Sequence, residues 1–336
     1  MTILLYILSA SLPVIIYLAT LVMIDSYKLV KYTSIMAAIL CGCAAALLSL
    51  VLNNIFLDFL KIDFIFYARY IAPIIEETFK AAFIIILIWR RKTGFLVDAA
   101  INGFAIGTGF ALVENLYYLQ TLSGGYLLLW IIRGFGTAIM HGGTTAIFAL
   151  LSINYSSRYP QKRTVIFLPG LFIAIFLHSF FNHFIFSPLV MTIGQLVILP
   201  LLTMLVYTRS ENALQEWLEA GMDVDVWLLD YINTGRVYQT KVGEYLNSLK
   251  VRFPGEVVGD MLCYVRLHLE LALRAKGILL LQEQGFPIPD DPEIREKLKE
   301  MEFLEKSIGK TGRLALAPIL HTGIQEHWQL GMIRKK

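Results

Sequence analysis

The chain has 336 residues, 57% of them hydrophobic and only 16% charged, and its mean hydropathy is +0.63. That balance excludes an ordinary soluble globular protein and points to an integral membrane protein. The net charge of +3 arises in residues 1–208, which hold 12 Lys/Arg against 7 Asp/Glu, while residues 209–336 hold 17 against 19. The basic excess therefore reads as loop charge that sets membrane topology, and no nucleic-acid motif accompanies it.

Apolar runs long enough to cross about 30 Å of hydrocarbon at about 1.5 Å per residue lie at 3–24, 33–58, 64–89, 98–122, 126–152, 164–186 and 190–208. The expected fold is an all-α polytopic membrane helix bundle of about seven spans, residues 1–208, followed by a soluble helical domain, residues 209–336. The first run begins at Ile3 with no basic segment ahead of it and reads as a span, not a cleaved signal peptide. Lys28 and Lys31, then Arg90, Arg91 and Lys92, then Arg158, Lys162 and Arg163, then Arg209 follow alternate spans. By the positive-inside rule the N-terminus is outside and the tail is cytoplasmic. Cys41, Cys43 and Cys263 give no even disulfide framework and read as reduced core residues.

The third span contains Glu76-Glu77-Thr78-Phe79-Lys80 between apolar flanks. Charged groups at that depth cost several kcal/mol unless they face a protein interior, so they mark a site. Lys80 is i+4 from Glu76 and i+3 from Glu77. The i,i+4 spacing favours a Glu76–Lys80 pair and leaves Glu77 as the base. Pro73, one turn earlier, frees a backbone carbonyl and opens space beside the carboxylates.

Later spans add polar groups. The fourth carries Asn102, Gly103, Gly107 and Gly109, a small-residue face for close packing, and then Glu114-Asn115. The fifth carries Arg133 and His141, and the sixth carries His178 and Asn182, which share a face at i,i+4. Measured by helical rise from the cytoplasmic ends, Glu77 lies ~18 Å deep, Glu114 ~24 Å, His141 ~16 Å, His178 ~21 Å and Asn182 ~27 Å. Groups from four spans thus share one layer, which independent packing accidents would not produce.

Carboxylates and histidines around a polar cavity can activate water, with His or Asn donating to a developing oxyanion. The same set can hold a zinc ion through His141, His178 and either Glu77 or Glu114. A proton-coupled transporter using the buried carboxylates as a relay, and a non-catalytic scaffold, are the alternatives. Gly309-Lys310-Thr311-Gly312 lacks the upstream glycine of a phosphate loop and reads as a turn.

Glu76-Glu77-x-x-Lys80, Phe110-x-x-x-Glu114-Asn115, His141 after Arg133, and His178-x-x-x-Asn182, in this order on successive spans, resemble the PrsW intramembrane proteases. That family is related to the CAAX prenyl endopeptidases and the Aph subunits of gamma-secretase. The resemblance covers roughly residues 64–186. It implies an endopeptidase of a bacterial cytoplasmic membrane that cuts membrane-tethered protein or peptide substrates, such as an anti-sigma factor. It also implies Glu76, Glu77, Glu114, His141, His178 and Asn182 as catalytic residues, with Lys80, Asn115 and Arg133 supporting them. These motifs leave both a metallo-type and a glutamic-type mechanism open.

Beyond Arg209 the pattern is amphipathic and helical. Ser210 is placed to cap a helix to about Gly221, Asp223 another to about Asn233, a longer helix follows Pro254-Gly255 to about Gly285, and Asp290-Asp291-Pro292-Glu293 starts a further one. His268, His321 and His327 are dispersed and read as solvated or core residues. The tail is expected to be a helical regulatory or interaction domain with a cytoplasmic protein partner, its basic end suited to anionic lipid.

Overall fold

The structure, a computed structural model, describes residues 2–90, 92–121, 126–158, 164–288, 291–320 and 324–333. The expected loop charges Arg91, Lys162 and Arg163, together with Asp290 and His321, lie outside the described residues, as do the side chains of Arg158 and His327. Among the described residues every regular element is helical. The chain forms two compact units, Met1–Ser210 and Glu211–Lys336.

In the first unit α1 (Thr2–Met23) is apolar, α2 (Tyr32–Leu60) is apolar up to Asn53-Asn54, and Lys61 ends α2 in the left-handed conformation. Asp63 caps a single turn, α3 (Phe64–Phe66), by accepting from the Phe66 amide at 3.1 Å. A π-helical segment, Tyr67–Ile71, then leads into α4 (Ala72–Trp89). After α5 (Leu96–Thr121) come α6 (Leu127–Ile132), a second π segment (Arg133–Ala138) and α7 (Ile139–Arg158). A 3-10 turn (Val165–Phe167) precedes α8 (Leu168–His183), and α9 (Pro188–Asn233) completes the series.

Six segments of the described residues are long and apolar enough to span a membrane. The expected span at 64–89 is built from α3, the π segment and α4, which carries three charged groups in 18 residues. The chain is a multi-pass membrane protein.

α5 is the central helix, packed against α1, α2 and α7. Its glycines set these approaches. A Cβ at Gly109 would overlap the Ile39 carbonyl of α2, and one at Gly107 would overlap the His141 carbonyl of α7. Gly42 of α2 meets the Ile106 carbonyl in the same way. Two seams without side chains therefore bring α2 and α7 against α5, and α7 carries His141.

The two π segments have a common physical basis. In the first, the Ala72 amide reaches back five residues to Tyr67 O. Pro73 has no N–H, so the carbonyls of Ala68 and Arg69 lose the donor that another residue would supply. α8 replaces it: Asn182 Nδ2 donates to Ala68 O at 2.9 Å and Ser179 Oγ donates to Arg69 O at 2.6 Å. In the second segment, Gln195 Nε2 of α9 donates to Phe135 O at 2.7 Å and to Gly136 O at 2.6 Å. Irregular backbone at membrane depth persists because neighbouring helices satisfy it.

The second unit contains a 3-10 turn (Val237–Gln239), α10 (Lys241–Ser248), a further turn (Leu249–Val251), α11 (Gly255–Glu283), α12 (Pro292–Leu316) and α13 (Ile324–Ile333). Its core is largely aliphatic and includes Met261, Leu271 and Ile278 of α11 with Leu298 and Met301 of α12. Thr240 and Asp291 cap α10 and α12. Gly309 interrupts α12 with φ +66°, where a turn was expected. Two expectations change. Ser210 does not start a new helix: its hydroxyl accepts from the Val97 amide at 3.3 Å, and α9 runs through Gly221 to Asn233. All three cysteines are free, but Cys263 is exposed and not a core residue.

Candidate active site

The polar groups of α4, α5, α7 and α8 converge on one cavity of about 310 Å³. Its walls include Glu76, Glu114, His141, His178 and Asn182, five of the six residues expected to be catalytic. The sixth, Glu77, lies behind this wall, with its side chain 1% exposed.

Glu77 is bound on three sides. Its Oε1 accepts from Lys80 Nζ at 2.6 Å, from His178 Nδ1 at 2.7 Å and from Thr144 Oγ1 at 3.3 Å. Lys80 is fully buried and therefore requires a counter-charge. The pair is i,i+3 with Glu77, which corrects the expected i,i+4 pair with Glu76: Glu77 is on the interior face of α4 with Lys80, and Glu76 faces the cavity.

Lys80 also lies 3.1 Å from His141 Nδ1. An ammonium there makes Nδ1 the acceptor and leaves the ring proton on Nε2, which faces Glu114 Oε2 at 2.9 Å. Glu114 keeps 22% side-chain exposure and has Arg133 Nη2 at 3.5 Å. Arg133 is held by Asn115, whose Oδ1 accepts from Arg133 Nε at 2.9 Å and whose Nδ2 donates to Ala10 O of α1 at 2.8 Å. The guanidinium also lies 4.1 Å from the centre of the Tyr118 ring. Lys80, Asn115 and Arg133 thus all contact the expected catalytic residues or hold one that does. Asn182 lines the cavity, but its amide is committed to Ala68 O, where it maintains the π segment.

His178 completes the arrangement. With Nδ1–H given to Glu77, its Nε2 lone pair faces Glu76 Oε2 at 3.8 Å. The rings of His141 and His178 meet edge to face, with centroids 4.8 Å apart.

Glu76, His141 and His178 each offer one donor atom, all within 4.8 Å of one another. Two imidazoles and a carboxylate at such spacing would hold a divalent ion such as zinc once drawn in slightly. The donor set supports this fit, since His178 has a free Nε2 and a carboxylate behind Nδ1, the outer arrangement usual for a ligating histidine. His141 would present Nε2 once its bond to Glu114 is released, its Nε2 proton passing to solvent and Nδ1 taking the proton of Lys80, which then stays beside Glu77 as a neutral amine. The carboxylate grouped with the two histidines is Glu76, while Glu77 accepts from Lys80 and Glu114 faces His141 Nε2 and Arg133.

Sequence reasoning missed Asn53, Tyr67, Thr144 and Ser179. Asn53 Nδ2 donates to Glu76 Oε1 at 3.1 Å, and Tyr67 OH donates to Asn53 Oδ1 at 2.9 Å. The signal for Asn53 was present, since Asn53-Asn54 is a polar pair inside an apolar run. Tyr67 and Ser179 gave none, because their roles depend on the π segment.

Among known proteins, the family model described as PrsW family intramembrane metalloprotease matches residues 31–207, just over half of the chain. No curated protein and no solved structure matches it.

Proposed function

We propose that this chain, which belongs to the PrsW family of intramembrane metalloproteases, hydrolyses a peptide bond in membrane-tethered proteins at the Glu76–His141–His178 cavity. The observation that carries the reading is the convergence of these three donors within 4.8 Å, next to a separate partly exposed carboxylate, Glu114. Glu76, His141 and His178 would hold a divalent ion there, which would supply Lewis-acid polarisation and a water acidic enough to act as nucleophile near neutral pH.

The protein groups divide the remaining work. Glu114, released from His141 Nε2, is the proton acceptor: it takes the proton of the attacking water as the O–C bond forms. It returns that proton to the amine nitrogen as the C–N bond breaks, so no net proton is consumed. Arg133 and Asn115 hold Glu114 in place from the far side. Glu77 orients His178 through Nδ1, and Lys80 joins Glu77 to His141, so one buried lysine sets both histidines. Asn182 acts through the backbone, by fixing the π segment ahead of Glu76.

The substrate class is a membrane-tethered protein or peptide, the setting a bacterial cytoplasmic membrane, and the helical tail a docking or regulatory domain for a cytoplasmic protein. Cleavage of a tethered reporter peptide by the purified protein in lipid tests the reading. Loss of turnover in both Glu114→Gln and His178→Ala is expected, and full activity in either variant would sink it.

A further inference from the structure

α2 carries none of the residues expected to be catalytic, yet one of its faces lines the cavity. Ala46, Ser49, Leu50 and Asn53 follow the i, i+3, i+4, i+7 pattern of a single helical face. Two features of that face are unusual for a membrane helix. Ser49 is 1% exposed, and its hydroxyl has no hydrogen-bond partner. Asn53 reaches across to α4 and donates to Glu76.

The orientation of Asn53 follows from its second bond. The Tyr67 hydroxyl donates to Asn53 Oδ1 at 2.9 Å, so the amide must turn Nδ2 toward Glu76 Oε1, at 3.1 Å. Tyr67 is itself 3% exposed and sits at the first position of the π segment. Glu76 therefore has one oxygen tied to a neutral donor while the other, Oε2, faces His178 Nε2. Without that tie the carboxylate would be free to rotate about its terminal torsion, which is broad and roughly two-fold.

We propose that Asn53 and Tyr67 are positioning residues that act in series on Glu76: Tyr67 sets the Asn53 amide, and Asn53 leaves only Glu76 Oε2 to reach toward the histidines. The inference rests on the proposed metal-bound reading of this site and deepens it. Outer partners of a ligating carboxylate fix its direction, and losing one typically costs about 10–100-fold in metal affinity or activity. The neutral amide holds the carboxylate without cancelling the negative charge that a cation would use.

The full-length protein in lipid, as wild type, Asn53→Leu, Asn53→Gln and Tyr67→Phe, provides the test. Zinc affinity is read by competition with a chelating dye, kcat and KM on the tethered reporter, and the melting temperature on metal-free protein. Asn53→Leu, nearly isosteric, should weaken zinc binding and lower kcat by about 10–100-fold, with KM within about threefold of wild type. Asn53→Gln keeps the amide and should recover part of both. Tyr67→Phe, the milder change, should lower kcat by about 3–10-fold, because the amide is no longer held in one orientation. Metal-free melting should be unchanged within a few degrees in every variant.

Wild-type zinc affinity and kcat in both Asn53→Leu and Tyr67→Phe would overturn the inference, as would losses that track KM and metal-free melting. If the wild type holds no zinc, the metal reading fails by itself, and the kcat and KM pattern alone decides whether Asn53 and Tyr67 position Glu76.

Discussion

His178 donates from Nδ1 to Glu77 Oε1 at 2.7 Å, and this one bond separates the roles of two adjacent glutamates. It fixes the histidine tautomer, turns Nε2 into the cavity and ties Glu77 into the interior with Lys80. Glu77 is a framework carboxylate, and Glu76 is the one the cavity can use.

Glu76→Gln and Glu77→Gln should therefore fail in different ways. Glu76→Gln removes a cavity-facing donor and should lower kcat by at least about 100-fold with little change in melting. Glu77→Gln leaves the Lys80 charge buried without its counter-ion, which costs about 3–5 kcal/mol. It should melt well below wild type and bind less zinc. Cleavage and thermal melting of both variants, measured side by side, separate the two.

Treatment of the purified protein with a strong chelator should abolish cleavage, and added zinc should restore it. His178→Ala and His141→Ala should each lower the bound-zinc stoichiometry measured by elemental analysis. Undiminished cleavage after exhaustive chelation would contradict the metal assignment.

Asn182 and Pro73 should show energetic coupling. Asn182→Leu leaves Ala68 O without its donor and should destabilise the protein by about 1–3 kcal/mol. Pro73→Ala supplies a backbone N–H near the same carbonyls and should offset much of that loss in the double variant. A double-mutant cycle on melting with zero interaction energy would show that the two act independently.

Asp25, in the connection between α1 and α2, accepts from the Leu29 amide at 2.7 Å, and burial pushes its carboxyl up to about 6. A carboxyl that ionises less readily when folded stabilises the fold at low pH and loses that advantage as pH rises. The loss should begin near pH 4 and be complete a little above pH 6, amounting to about 2–3 kcal/mol. Melting of Asp25→Asn, which keeps an acceptor for Leu29, should be flatter over that window and higher than wild type at pH 7.

The helices and the polar layer were legible in the sequence because hydropathy marks the spans and charge within a span marks a site. Glu77, Glu114, His141, His178 and Asn182 could be placed in one layer from helical rise alone. What could not be read is sideways geometry. Lys80 is within reach of both glutamates, and only the packing of α4 against α7 and α8 shows that it takes Glu77. Asn182 matched a site motif, but its amide serves a backbone carbonyl exposed by a helix register that periodicity cannot reveal. Asn53-Asn54 marks a polar pair in α2, but that Asn53 meets Glu76 could not be read, because its partner lies on another helix. The continuation of α9 past Ser210 could not be read because Ser210 resembles a cap and is used elsewhere.

The glycine seams of α5 bear on how far this protein can be re-engineered. At Gly42, Gly107 and Gly109 the atoms that an added methyl would strike are main-chain carbonyls of the facing helix, which no rotamer change can clear. Compensating substitutions nearby therefore have nothing to adjust. In a saturation-mutagenesis library these positions should form a narrow band with almost no tolerated substitution, while the lipid-facing positions of α1 and α8 accept most apolar residues. Efforts to retarget the specificity of this protein have their room on the cavity face of α2 and at the outer turns of α5, not along its spine.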